Sequence, residues 1–326
     1  KKNSLKKYQR FKTIVISGMG GSILGAKAIH CFLKHKIKKN LVFLDNLDEI
    51  KIREILYEKK IKNSLFIIVS KSGNTIETFV NINLLKKNLD SSNTILITEN
   101  NNNSINKLSR KIKTSIIEHK KYIGGRYSVL SEAGMIPAHL MGLKIENFRK
   151  NLLEYFKGKK KKLLVESISK ISEVYLSKKI KSIVLLSYNP QLLDFIYWCQ
   201  QLFAESLGKK GKGLLPIVSI GPKDHHSLLQ LYLDGPKDKI FYILSSKNFY
   251  NFKLGKNYLD EKMKFLKNKK LNKVISSQRD AFIETLRKKN IPFREIHVNN
   301  FSEEVLGELF SYFMMETAMI GKLIKV

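Results

Sequence analysis

Ile67-Ile68-Val69-Ser70-Lys71-Ser72-Gly73-Asn74-Thr75-Ile76-Glu77-Thr78 is the stretch on which the reading of this chain turns. Its first three residues are apolar and β-branched, as in a strand buried on both faces of a parallel sheet. Its back end opens a helix whose apolar positions are expected at Phe79, Val80, Ile82 and Leu84. Between the two lie Ser70, Ser72, Thr75 and Thr78 with a Lys and a Gly, and no apolar residue before Ile76. A helix start leaves N–H groups unpaired and carries partial positive charge, so hydroxyls and amides gathered there suit a phosphate. An ordinary N-cap with turn residues is the plainer reading of the same letters. The rest of the chain decides between them.

Outward from this stretch, strand and helix signals alternate. Thr13–Ile16, Leu41–Leu44 and Thr94–Thr98 read as strands, with helices expected at Ile23–Leu33, Asp48–Lys59 and after Thr78. A long helical connector is expected over Leu152–Ser177, after which the alternation restarts. Ser182–Leu186 and Ile240–Leu244 read as strands, Leu192–Leu207 as an apolar helix, Ile296–Val298 as an edge strand, and Glu303–Ile324 as a final helix. The pattern predicts an α/β protein of two doubly wound parallel sheets with helices on both faces. The expected division is 1–150 and 151–326.

With 326 residues, 43% of them hydrophobic and 10% aromatic, the chain can build two packed cores. Lys and Arg number 60 against 28 acidic residues, a net charge of +32. Runs such as Lys159–Lys162 and Lys267–Lys270 are scattered rather than gathered in one block, which argues against nucleic acid as the chief partner. The positive field still draws in small anionic substrates. Cys31 and Cys199 sit far apart among apolar neighbours and are expected to be buried, reduced thiols. No apolar run approaches a membrane span and no signal-type core follows the Lys-rich start, so a cytoplasmic protein without membrane contact is expected.

Gly18-Met19-Gly20-Gly21-Ser22 after the first strand, with Asp45 ending the second, invites a dinucleotide reading. The fingerprint fails on spacing, because its third Gly position holds Ile23. A sugar-phosphate site fits better, since Ser22 adds a hydroxyl beside the helix start. Adjacent His225 and His226 have no Cys or acidic ligand at a metal-binding spacing, so no metal is expected.

Four segments together resemble the glucose-6-phosphate isomerase family, enzymes built of two sugar-isomerase (SIS) domains. They are Gly18 to Gly25, Ser70 to Thr78, Gly124-Gly125-Arg126-Tyr127-Ser128-Val129-Leu130-Ser131, and Gln201 to Gln230. The last contains Ala204-Glu205-Ser206-Leu207-Gly208-Lys209, Gly213-Leu214-Leu215-Pro216 and His226-Ser227-Leu228-Leu229-Gln230. Their order spans most of the chain. The resemblance implies an isomerase interconverting glucose 6-phosphate and fructose 6-phosphate, in glycolysis and gluconeogenesis, without cofactor or metal. It implies that Ser22, Ser70, Lys71, Ser72, Thr75 and Thr78 bind the phosphate, with Gly20, Gly21, Gly124 and Gly125 in the supporting loops. Glu205 is implied as the base between C1 and C2, and Arg126 as the partner of the enediolate oxygen. His226 is implied in ring opening with Glu77 as its carboxylate partner; the family supplies this His from the neighbouring subunit, hence a homodimer. A related isomerase that also accepts mannose 6-phosphate, or a non-catalytic sugar-phosphate sensor, shares part of this pattern.

The residue types suit the chemistry. Aldose–ketose isomerisation removes a weakly acidic proton beside a carbonyl and returns it one carbon away, which asks for one positioned base. Charge gathers on oxygen as the proton leaves, and a fixed guanidinium stabilises it. A carboxylate at the end of the apolar helix holding Phe195, Ile196, Trp198, Leu202 and Phe203 is expected to be partly desolvated, which raises its proton affinity. In the family a further helix carrying a ring-opening lysine follows the segment resembling Leu306–Ile324. Neither Lys322 nor Lys325 matches that lysine, and the usual helical segment before the first domain is missing or short, so either the sequence is trimmed at both ends or ring opening is impaired; the intact order of the motifs favours trimming.

Overall fold

The computed structural model describes residues 5–57, 61, 63–247, 252–255 and 260–326. The first sheet comprises β1 (Thr13–Ser17), β2 (Asn40–Leu44), β3 (Ser64–Val69), β4 (Thr94–Thr98) and β5 (Ile116–Glu118). Helices α1 (Leu24–Leu33), α2 (Glu49–Tyr57), α3 (Ile76–Leu85) and α4 (Ser104–Ile112) connect them, and α5 (Glu132–Leu140) follows. All pairings are parallel, in the order β2-β1-β3-β4-β5. The chain leaves β1 toward one edge and returns through β3 toward the other, so a crevice opens between the carboxyl ends of these two strands. Ser17 is paired with Ile68, which brings the loops after β1 and β3 out side by side.

Helix α6 (Gly158–Ser177) leads to the second sheet, β6 (Ser182–Ser187), β7 (Leu215–Ile220), β8 (Lys239–Ser246) and β9 (Phe293–Val298). Helices α7 (Leu193–Leu207), α8 (Leu229–Asp234), α9 (Leu271–Lys288) and α10 (Glu303–Leu323) complete the chain. This sheet is also parallel, ordered β7-β6-β8-β9, and its crevice lies between β6 and β8. Helix α7 presents Phe195, Trp198, Cys199 and Leu202 at helical spacing, packs on α1, and centres a core shared by both sheets. That core runs from Ile14, Ile16 and Ile67 through Trp198 to Ile183, Leu185 and Tyr242. Trp198 meets Phe310 of α10 edge-on at 4.8 Å between ring centroids.

A buried ion pair ties α6, β9 and α10 together. Arg294 Nη1 and Nη2 reach the two Glu316 carboxylate oxygens at 2.6 and 2.8 Å. Ser167 Oγ and Tyr312 OH each donate to Glu316 Oε1 at 2.8 Å, and the guanidinium lies 3.7 Å from the Tyr242 ring centroid. Burial works against the Glu316 charge, but Arg294 and the two hydroxyls outweigh it and hold this carboxyl below the ordinary range.

The expected strands and the final helix are present, with shifted ends. The helix predicted over Asp48–Lys59 is described only as far as Tyr57, and Lys59 lies outside the described residues. Strands β5 and β7 were not anticipated. The first has only three residues, and the second carries Pro216, which an edge strand tolerates because that side of the ladder is unpaired. Helices α4, α5, α8 and α9 were not anticipated either. The connector begins later than expected, because Gly158 at φ +58 breaks the chain before α6. Helix α3 uses Ile82 and Leu85 to meet its sheet; Ile76, Val80 and Leu84, four apart, face outward and are exposed. Cys199 is buried as expected, whereas Cys31 is only half-buried, its thiol donating to the Pro190 carbonyl at 3.3 Å.

Candidate active site

The crevice of the first sheet is floored by glycine contacts. Gly18 abuts the Val69 carbonyl and Ser22, which joins the two loops. A Cβ on Gly21 would stand 2.2 Å from the carbonyl carbon of Gly125, so only hydrogen fits where the β1 loop meets the 3-10 turn Gly125–Leu130. Gly20, at φ +51, turns that loop against the Gln201 side chain of α7. Gly124 and Gly125 themselves leave room for a Cβ among the described residues.

These contacts bring Arg126 to the carboxyl end of α7. Arg126 Nη1 donates to Glu205 Oε1 at 2.7 Å, and Arg126 Nε to Ser206 Oγ at 2.6 Å. Tyr127 OH lies 3.1 Å from the same Ser206 hydroxyl, and its ring centroid is 5.3 Å from the guanidinium. Gln201, one helical turn before Glu205, donates from Nε2 to Glu205 Oε2 at 3.1 Å. Both carboxylate oxygens are thus held, while the Glu205 side chain remains 51% exposed and that of Arg126 19%. The desolvation expected for Glu205 is not supplied by this chain's own residues; a guanidinium partner takes its place.

At the β3 loop, Ser70 Oγ accepts the Gly73 N–H at 3.1 Å and pairs with Thr75 Oγ1 at 2.9 Å. Thr75 is the N-cap of α3, yet its side chain makes no capping bond, so it leaves the first-turn N–H groups of the helix uncapped. Ser72 is exposed and accepts the Asn74 N–H at 3.3 Å. Thr78 is fully buried, with no partner for its hydroxyl among the described residues. The Lys71 ammonium turns away, toward Glu99 at 3.6 Å and the Lys121 carbonyl at 3.1 Å. Glu77 is exposed on the first turn of α3, and His226 is exposed after β7; no hydrogen bond or ion pair joins them among the described residues of one chain. His225 is the engaged histidine, 2.7 Å from Tyr188 OH, and burial lowers its proton affinity.

Gln201, Ser206 and Tyr127 were quoted in the motifs without a role, and the structure gives each one. Gln201–Glu205 was legible as an i, i+4 pair on one helix face. The Arg126–Ser206 bond spans 80 positions and left no local signal.

Two parallel sheets, each with a crevice at its own switch point, define an α/β protein of two doubly wound units. Glucose-6-phosphate isomerase of Methanocaldococcus jannaschii is 32% identical over 99% of this chain and 82% of its own length. A protein of Thermus thermophilus superposes with a TM-score of 0.89 at 22% identity, over 100% of this chain and 82% of that one. A glucose-6-phosphate isomerase of Chlamydia trachomatis superposes with a TM-score of 0.81 at 20% identity, over 98% of this chain and 66% of that one. The family model described as phosphoglucose isomerase matches residues 5–213. The chain belongs to the phosphoglucose isomerase family.

Proposed function

We propose that this protein interconverts glucose 6-phosphate and fructose 6-phosphate through an enediolate, with Glu205 as the proton carrier. The observation that carries this reading is Glu205 gripped by Arg126 and Gln201 at the mouth of the switch-point crevice. From glucose 6-phosphate, the Glu205 carboxylate takes the C2 proton while the C1 carbonyl oxygen gains negative charge. Arg126 sits beside that charge. A proton moves from O2 to O1, and Glu205 returns its own to C1, so no net oxidation occurs and no cofactor is needed. Ser22, Ser70, Ser72 and Thr75 hold the phosphate with the uncapped start of α3; Lys71 serves through its backbone and field, and Thr78 backs the loop. His226, delivered by the second subunit of a homodimer and paired with Glu77, opens the sugar ring. The division near residue 150 then separates the phosphate-binding sheet from the one that supplies the base. The setting is cytoplasmic glycolysis and gluconeogenesis, in keeping with the lack of any described helix long and apolar enough to cross a membrane.

The test is isotopic. Fructose 6-phosphate incubated with the protein in heavy water gains deuterium at C1 and emerges in part as glucose 6-phosphate labelled at C2. Absence of both label and conversion contradicts the assignment. The dimer has its own test: inactive His226→Ala and Glu205→Gln chains, mixed and allowed to exchange, regain activity. Exchange without recovery means that each site is built within one chain.

A further inference from the structure

The second sheet has a switch-point crevice that the isomerase reading does not use. Between the ends of β6 and β8 lies a cavity of about 550 Å³, walled also by β9 and the first turn of α9. Four lysines line it, Lys247, Lys269, Lys270 and Lys273, together with Arg279 and His297. No Asp or Glu is among its described lining residues, and residues 248–251 and 256–259 contain none in sequence. Asp280 is bonded to Arg279 at 2.6 Å, which leaves the four ammonium groups without a carboxylate among the described residues. At the other end of the same helix, Lys288 meets Glu284 at 2.7 Å and Lys289 meets Asp234.

Like charges crowded round a concave wall repel one another, and a bound anion relieves that repulsion. The other lining groups also suit an anion. Ser245 Oγ lies 3.1 Å from His297 Nδ1, Ser246 stands beside it, and the N-cap of α9, Lys270, makes no side-chain capping bond. The placement parallels the first sheet. There Ser70-Lys71 follows β3, the neighbour of β1; here Ser246-Lys247 ends β8, the neighbour of β6.

We propose that this cavity is a second anion site, taking a small molecule that carries two or more phosphoryl groups. Four unpaired ammonium groups exceed what one phosphate needs, and the volume admits a diphosphate with an organic group attached. The site stands apart from Glu205 and Arg126, so it binds without turning over its ligand. Inorganic pyrophosphate is the probe, titrated by calorimetry with and without 6-phosphogluconate to occupy the first crevice. With 6-phosphogluconate filling the first crevice, one saturable pyrophosphate site per chain is expected; without it, the first crevice adds a second. Lys270→Ala/Lys273→Ala should weaken the site seen with 6-phosphogluconate present at least tenfold, with the melting temperature and 6-phosphogluconate affinity unchanged. Lys288→Ala/Lys289→Ala removes the same charge from the far end of α9 and should leave it within twofold. The proposal is overturned by no saturable binding, by full displacement with 6-phosphogluconate, or by equal losses in the two double variants, which would assign the attraction to overall charge.

Discussion

Two Arg–Glu pairs in this chain have the same chemistry and opposite circumstances. Arg294–Glu316 is closed: two parallel hydrogen bonds, two further donors on the carboxylate, and Glu316 only 1% exposed. Arg126–Glu205 is open: one bond between the partners, the second guanidinium contact spent on Ser206, and half of the carboxylate side chain in solvent. A closed pair has its stabilisation locked into the fold, because removing either partner strands a charge in a dry site. An open pair contributes little to stability and leaves both groups available to a third molecule. Placement follows the same division, one pair behind the shared core and the other at the mouth of a crevice.

The comparison breaks most visibly at Glu316. Glu316→Ala should cost about 3–5 kcal/mol of stability in urea unfolding, since Arg294 is left charged and buried. Turnover per folded molecule should hold. The pH dependence has a definite sign. Glu316 binds its proton less readily in the folded state than in the unfolded chain, so its contribution is present above the ordinary glutamate value of 4.5. That contribution is lost as pH falls through the lower folded value. Glu316→Gln should lack this acid-side loss in a series of thermal melts.

Arg126→Lys keeps the charge but loses the fork that reaches Glu205 and Ser206 together. It should lower kcat by about 10–100-fold, or roughly 1.5–3 kcal/mol of transition-state stabilisation, while the urea midpoint stays put. An unchanged kcat would remove Arg126 from the chemistry. Thr75→Ala should weaken 6-phosphogluconate by about 1–2 kcal/mol in calorimetry, the loss of one charge-assisted hydrogen bond. Unaltered affinity would move the phosphate elsewhere. Gln201→Ala should have the smallest effect, about 0.5–1.5 kcal/mol on kcat/KM, because Arg126 still orients the Glu205 carboxylate. A loss as large as that of Arg126→Lys would make Gln201 an equal partner.

How much of this was legible in the sequence follows from the range of each interaction. The strand at Ile67–Val69 and the hydroxyl-rich turn after it are local, and both stand where they were read. Strand β7 was hidden by Pro216, whose cost depends on being at an edge, and edge position is a tertiary fact. The closed Arg294–Glu316 pair could not be read, although its partners are 22 residues apart, because neither letter announces burial. The site motifs were readable as a set, yet the Lys71 ammonium and the Glu205 surroundings differ from expectation. A motif names the residue, while partners such as Glu99 and Arg126 come from other elements and set where its side chain goes.

The most direct measurement is deuterium uptake at C1 of fructose 6-phosphate in heavy water, made side by side on Glu205→Gln and Glu316→Gln at matched folded concentration. Both changes remove one carboxylate charge from an Arg–Glu pair. Glu205→Gln should lose at least about a hundredfold in exchange, the scale of a general base, and keep its urea midpoint. Glu316→Gln should keep its exchange per folded molecule and lose stability instead. Wild-type exchange in Glu205→Gln would contradict the account, because the open pair would then not hold the base.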